Sequence, residues 1–98
     1  MIVLKQGVVL AGIDEVNIFE VICEADGIWK ENSWGPVVVT SGIEGTHLPN
    51  SSHYKGHAVD LRSPENVDRA VAILEERLFG WKVIKEDNHI HVQFIPKV

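Results

Sequence analysis

Four of the five histidines fall in two short segments, "SHYKGHAVD" at residues 52–60 and "HIH" at residues 89–91, and the first segment ends on an aspartate. Imidazole and carboxylate are the donors that hold a divalent cation when thiolate is missing. Thiolate is nearly missing here: Cys23 is the single cysteine, which excludes both an intramolecular disulfide and a cysteine zinc cluster. The chemistry to be tested is therefore a metal held by His, Asp or Glu.

Strand parity decides which of these residues could meet, because side chains two apart on a strand share a face. In the segment "HAVDLR", Ala58 and Asp60 share one face, and His57, Val59 and Leu61 share the other. His57 is thus set apart from Asp60. His53 precedes Gly56, whose backbone freedom lets the chain turn back toward Asp60, and Ala58 keeps the space beside the carboxylate small. Downstream, Asp87, His89 and His91 alternate with the apolar Ile90, Val92 and Phe94, so the polar set is left for water or a ligand. His53, Asp60 and His91 with a water in the fourth position make a catalytic zinc arrangement, since structural zinc sites are usually closed by four protein ligands. A zinc-bound water ionises near neutral pH, provided that a base takes its proton and some group stabilises the oxyanion. His89 and Asp87 are the candidates for those roles. Without a metal, the same residues would be a loop and a strand that only hydrogen-bond.

The elements that must position these residues are legible in outline. Residues 14–31 place Val16, Phe19, Ile22 and Cys23 at helical spacing behind an Asp14 cap, which makes Cys23 a core residue. Residues 37–40, "VVVT", read as a central strand, and residues 44–56, with two Gly, a Pro, an Asn and two Ser, as a long loop. "HAVDLR" follows as a strand. Residues 63–80 form the clearest helix, with Ser63 as cap, Pro64 in the first turn, Gly80 at the end and an apolar stripe of Val67, Ala70, Val71, Leu74 and Leu78. "WKVIK" and "HIHVQFI", separated by "EDN", suit an antiparallel hairpin. The order predicts one α+β domain over residues 1–98, a small antiparallel sheet with helices packed on it.

Ninety-eight residues, 45% of them apolar and 23% charged, suit a single soluble core. The net charge of −5 with nine scattered Lys and Arg argues against nucleic acid, whose binding depends on clustered cations. No stretch approaches the roughly 20 apolar residues of a membrane span. The first residues, broken by Lys5, Gln6 and Gly7, are too short and polar a run for a signal peptide. The chain is expected in the cytoplasm as encoded, with release to a cell wall needing a phage-type or other signal-independent route.

"SSHYKGHAVD" fits the pattern SxHxxGxAxD through Ser51, His53, Gly56, Ala58 and Asp60, and "HIH" fits a later HxH. Together they resemble the zinc D-Ala-D-Ala carboxypeptidases and endolysin-type peptidases, whose fold is shared with the hedgehog signalling domain. The resemblance covers residues 37–93. It implies that His53, Asp60 and His91 bind zinc, that His89 helps to stabilise the transition state, and that an acidic base stands shortly before the third ligand. Asp87 and Glu86 are the candidates for that base, and parity favours Asp87. A second alignment reads "EDNH" as ExxH, with His89 as ligand and Glu86 as base; the strand hydrophobics and the HxH pattern favour His91. Ser51 is expected to donate a hydrogen bond near the substrate, with no nucleophilic role. The chain departs from the family in one place: relatives commonly carry an arginine just after the "SG" of the first strand, where this sequence has Glu44. A carboxylate does not bind an anionic terminus as a guanidinium does. The implied activity is hydrolysis of peptidoglycan stem peptides or cross-links by a monomer, with a zinc-binding domain that has lost turnover as the alternative.

Overall fold

The computed structural model describes residues 1–10, 18–42 and 58–95. Along these run β1 (Ile2–Leu4), α1 (Ile18–Glu31), β2 (Val37–Ser41), β3 (Ala58–Arg62), α2 (Val67–Arg77), β4 (Trp81–Lys85) and β5 (His89–Phe94). The described strands form one five-stranded sheet in the order β1-β2-β3-β5-β4. β1 runs parallel to β2, and the other neighbours are antiparallel. The sheet is therefore mixed, a correction to the antiparallel sheet expected from sequence. α1 lies between β1 and β2 in the chain, and a helical crossover is the usual way to bring two adjacent strands parallel.

The helices cover one face of the sheet. Val37 and Val39 of β2, Val59 and Leu61 of β3, Val83 of β4, and Ile90 and Val92 of β5 form one buried cluster with both helices. α1 contributes Ile18, Val21, Ile22, Ala25, Ile28 and Trp29, all buried and spaced by three or four residues. Ile22 belongs to it as read from sequence, but Phe19 and Cys23 do not, and Ile18 and Val21 are buried beside Ile22. Phe19 is 53% exposed and Cys23 is also exposed. At 100° per residue, a shift of one position turns a core side chain to the rim. Cys23 is thus not a core residue. Val16 and Asp14 lie outside the described residues.

α2 starts later than its sequence suggested. Its cap is Asn66, whose Oδ1 accepts a hydrogen bond from the Arg69 backbone N–H at 3.4 Å, so the cap is not Ser63. Ala70 and Leu74 are fully buried, with Val67 and Val71 packed against the core. Burial of each large aliphatic contributes about 1.5–3 kcal/mol. After α2 the chain turns into β4 through Gly80, whose φ of +83° is costly for any side-chain-bearing residue. Its carbonyl accepts from the Ile95 backbone N–H at 2.8 Å, tying this turn to the end of β5.

The β4–β5 hairpin forms as expected, closed by the Glu86 backbone N–H donating to the His89 carbonyl at 2.9 Å. Asp87 lies in the turn outside both strands, exposed to solvent. Strand alternation therefore begins at His89, and the parity that favoured Asp87 does not extend to it.

Candidate metal centre

β3 and β5 are neighbours, and their register sets Asp60 opposite His91, Arg62 opposite His89, and Ala58 opposite Gln93. The same register pairs Val59 with Val92 and Leu61 with Ile90. Those four apolar residues are fully buried on the helix side. Because side chains alternate, burying that set turns the polar set to the opposite face; a slip of one residue would reverse both. The hydrophobic core is thus what brings a carboxylate and two imidazoles together.

At the centre, Asp60 Oδ1 stands 3.0 Å from His91 Nδ1, each side chain only 12% exposed. Asp60 Oδ2 lies 3.7 Å from His89 Nε2, and Glu86 Oε1 lies 3.4 Å from that same nitrogen. His89 Nδ1 is 2.9 Å from Asn88 Oδ1, and His91 Nε2 is 2.8 Å from Gln93 Oε1. On the β2 side the pairing shifts between Val39 and Ser41, so that Ser41 comes opposite Asp60. The Thr40 hydroxyl donates to the Asp60 backbone carbonyl at 3.4 Å. Such irregularities concentrate beside functional sites, where they re-aim a side chain.

Electrostatics favour a proton on His91 beside Asp60. The hydrogen bond to Asp60 raises the His91 pKa above its ordinary value, against the opposing effect of burial; Gln93 and the charges of Asp60 and Glu86 add to the rise. A raised folded pKa means that the contribution to stability is fully present below the unfolded value of 6.5 and is lost as pH rises through the folded one. The stability difference between the metal-free wild type and His91→Asn is expected to shrink from about pH 6 to about pH 9. Urea midpoints at the two pH values check this. A difference that stays flat or grows would mean that the pair does not hold a proton.

Two donors each about 2.0–2.2 Å from a zinc ion lie roughly 3.3 Å apart at a tetrahedral angle. The 3.0 Å between Asp60 Oδ1 and His91 Nδ1 is that of a hydrogen bond, and it sets the two atoms near that separation. They are two donors of a set. Among the described residues, no three His, Cys, Asp or Glu side chains make a complete metal-binding group. The third expected ligand, His53, lies outside the described residues, as do Ser51, Gly56, His57 and Glu44.

Of the residues singled out by sequence, Asp60, His89 and His91 come together and Asp87 does not join them. Glu86 is the carboxylate beside His89. Two residues of the cluster carried no sequence signal strong enough to single them out. Asn88 is part of a hairpin turn and Gln93 continues the alternation of β5, so only the register and the rotamers show them against imidazole nitrogens. Compared with protein families, curated proteins and solved structures, the chain finds no match in any of the three.

Proposed function

We propose that this chain is a zinc-dependent peptidase acting on peptidoglycan stem peptides or cross-links. The observation that carries the reading is the Asp60–His91 pair, a carboxylate and an imidazole 3.0 Å apart, with a second imidazole at 3.7 Å. It is supported by the sequence pattern around Asp60, through Ser51, His53, Gly56 and Ala58. His53, Asp60 and His91 would hold the zinc. When bound, zinc supplies Lewis-acid polarisation and an acidified water at neutral pH.

The chain's own groups then divide the remaining work. Asn88 Oδ1 is an acceptor, so it keeps a proton on His89 Nδ1 and leaves Nε2 as the atom that gains and loses one. Glu86 Oε1 lies 3.4 Å from that nitrogen, within reach to exchange a proton with it. An N–H on Nε2 would serve as the donor toward developing negative charge. Glu86 takes the place of Asp87 as the carboxylate best located to exchange a proton there. With Glu44 where the peptidases that the sequence pattern resembles carry a substrate-binding arginine, cleavage inside a cross-link or stem fits this chain better than removal of a free D-Ala terminus. The described residues include no helix long and apolar enough to cross a membrane.

The test is incubation of the zinc-loaded chain with purified linear and cross-linked muropeptides. Release of a new amine from the wild type, reduced by His89→Ala about 100-fold or more, is the expected result. Zinc bound with no amine released from any muropeptide would leave a zinc-binding domain and sink the peptidase.

A further inference from the structure

We infer that Gln93 is a positioning residue that selects Nδ1 of His91 as the metal-binding nitrogen; the inference rests on the zinc reading above. The His91 ring lies between two acceptors, Asp60 Oδ1 at 3.0 Å from Nδ1 and Gln93 Oε1 at 2.8 Å from Nε2. A neutral imidazole has one N–H and one lone pair, so it satisfies one acceptor at a time. Which acceptor holds the proton decides which nitrogen is free to bind.

With Asp60 alone, the carboxylate is the stronger acceptor and draws the proton to Nδ1. The lone pair would then sit on Nε2, turned away from Asp60, and the two residues could not share one cation. Once a cation occupies the carboxylate, Gln93 Oε1 is the acceptor that remains, and by accepting from Nε2 it leaves the Nδ1 lone pair facing Asp60 and the ion. Carboxylate and imidazole then become a chelating pair. An amide turned to present its NH2 would favour the opposite tautomer and the non-binding arrangement, so the side-chain orientation of Gln93 is coupled to metal affinity.

The fold explains why residue 93 can do this. Gln93 lies two positions after His91 on β5 and so shares its face. Across the sheet it meets Ala58, a small residue that leaves room above it. Partners of this kind on the outer nitrogen of a ligating histidine fix its tautomer and raise its basicity, and their loss typically lowers metal affinity 10–100-fold.

The experiment is zinc affinity of the full chain by competition with a chromophoric chelator, for wild type, Gln93→Leu and Gln93→Glu. Gln93→Leu removes the acceptor at similar size and is expected to weaken zinc about 10–100-fold. Gln93→Glu keeps an acceptor and is expected to stay within a few-fold of the wild type, a rescue that a merely structural role would not produce. Thermal midpoints of the metal-free variants show whether each is folded. Nitrogen-15 chemical shifts of the zinc-loaded wild type give a second readout: a protonated Nε2 is expected, and a protonated Nδ1 overturns the inference. Equal zinc affinity for Gln93→Leu and wild type overturns the inference alone. A wild type that holds no zinc overturns the reading of the site itself.

Discussion

Asp60→Asn is expected to cost the chain more than about 100-fold in zinc affinity, beyond the upper end for loss of an outer partner. Asparagine keeps the size of the side chain and one acceptor oxygen but removes the charge. In the wild type that charge faces His91 at 3.0 Å and His89 at 3.7 Å, on a residue only 9% exposed. The variant should also be less stable without metal near pH 6, because a hydrogen bond to a charged group is worth about 1.5–3 kcal/mol. Two measurements check this: zinc affinity by chelator competition, and the urea midpoint in the presence of EDTA. Unchanged affinity would show that Asp60 is not a ligand. Unchanged midpoint at unchanged slope would show that the pair contributes nothing to the fold.

That Asp60 and His91 each lie on the polar face of their strand could be read in advance for a physical reason, whereas their places opposite one another come from the β3–β5 register. Alternation in "AVDLR" and "HIHVQF" is strict, and one alternating set in each is apolar, so the core settles which face the polar set takes. The same reasoning failed at Asp87, which belongs to a turn where alternation has no meaning. Helical spacing misplaced Cys23, because "VNIFEVICEADGIWK" supports two apolar stripes that share Ile22. The second runs to Trp29 and buries six residues, and it wins. β1 escaped the reading because three residues carry too little periodicity; its place comes from pairing with β2. The Asn66 cap was hidden behind Ser63 and Pro64, which suggested a start three residues too early. Hydrogen bonds such as that of Gln93 depend on rotamers and on a neighbouring strand, which sequence spacing does not encode.

Trp29→Ala should destabilise the chain by about 3–5 kcal/mol, the usual cost of emptying a buried aromatic site. Trp29 is 2% exposed and meets Trp34 edge-on, with ring centroids 5.4 Å apart. Its backbone carbonyl accepts from the Trp34 backbone N–H at 3.0 Å, a bond that Trp29→Ala keeps, so the loss falls on the ring contact and the core packing. A domain of this size has about 5–15 kcal/mol in all, so the loss is a large share of it. The cost reaches the site through the sheet. Trp29 packs in the cluster that contains Val59, Leu61, Ile90 and Val92, the residues whose burial sets the β3–β5 register. If zinc binds at Asp60 and only to the correctly registered sheet, it would offset the lesion by mass action, by about 2.7 kcal/mol at a free concentration 100 times the dissociation constant. Urea unfolding of Trp29→Ala should show a lowered midpoint in EDTA and a partial recovery in zinc, with Trp29→Ala/Asp60→Asn showing no recovery. Equal recovery in both variants would place the zinc somewhere other than at Asp60. No shift with zinc in either would separate the register of the sheet from metal binding altogether.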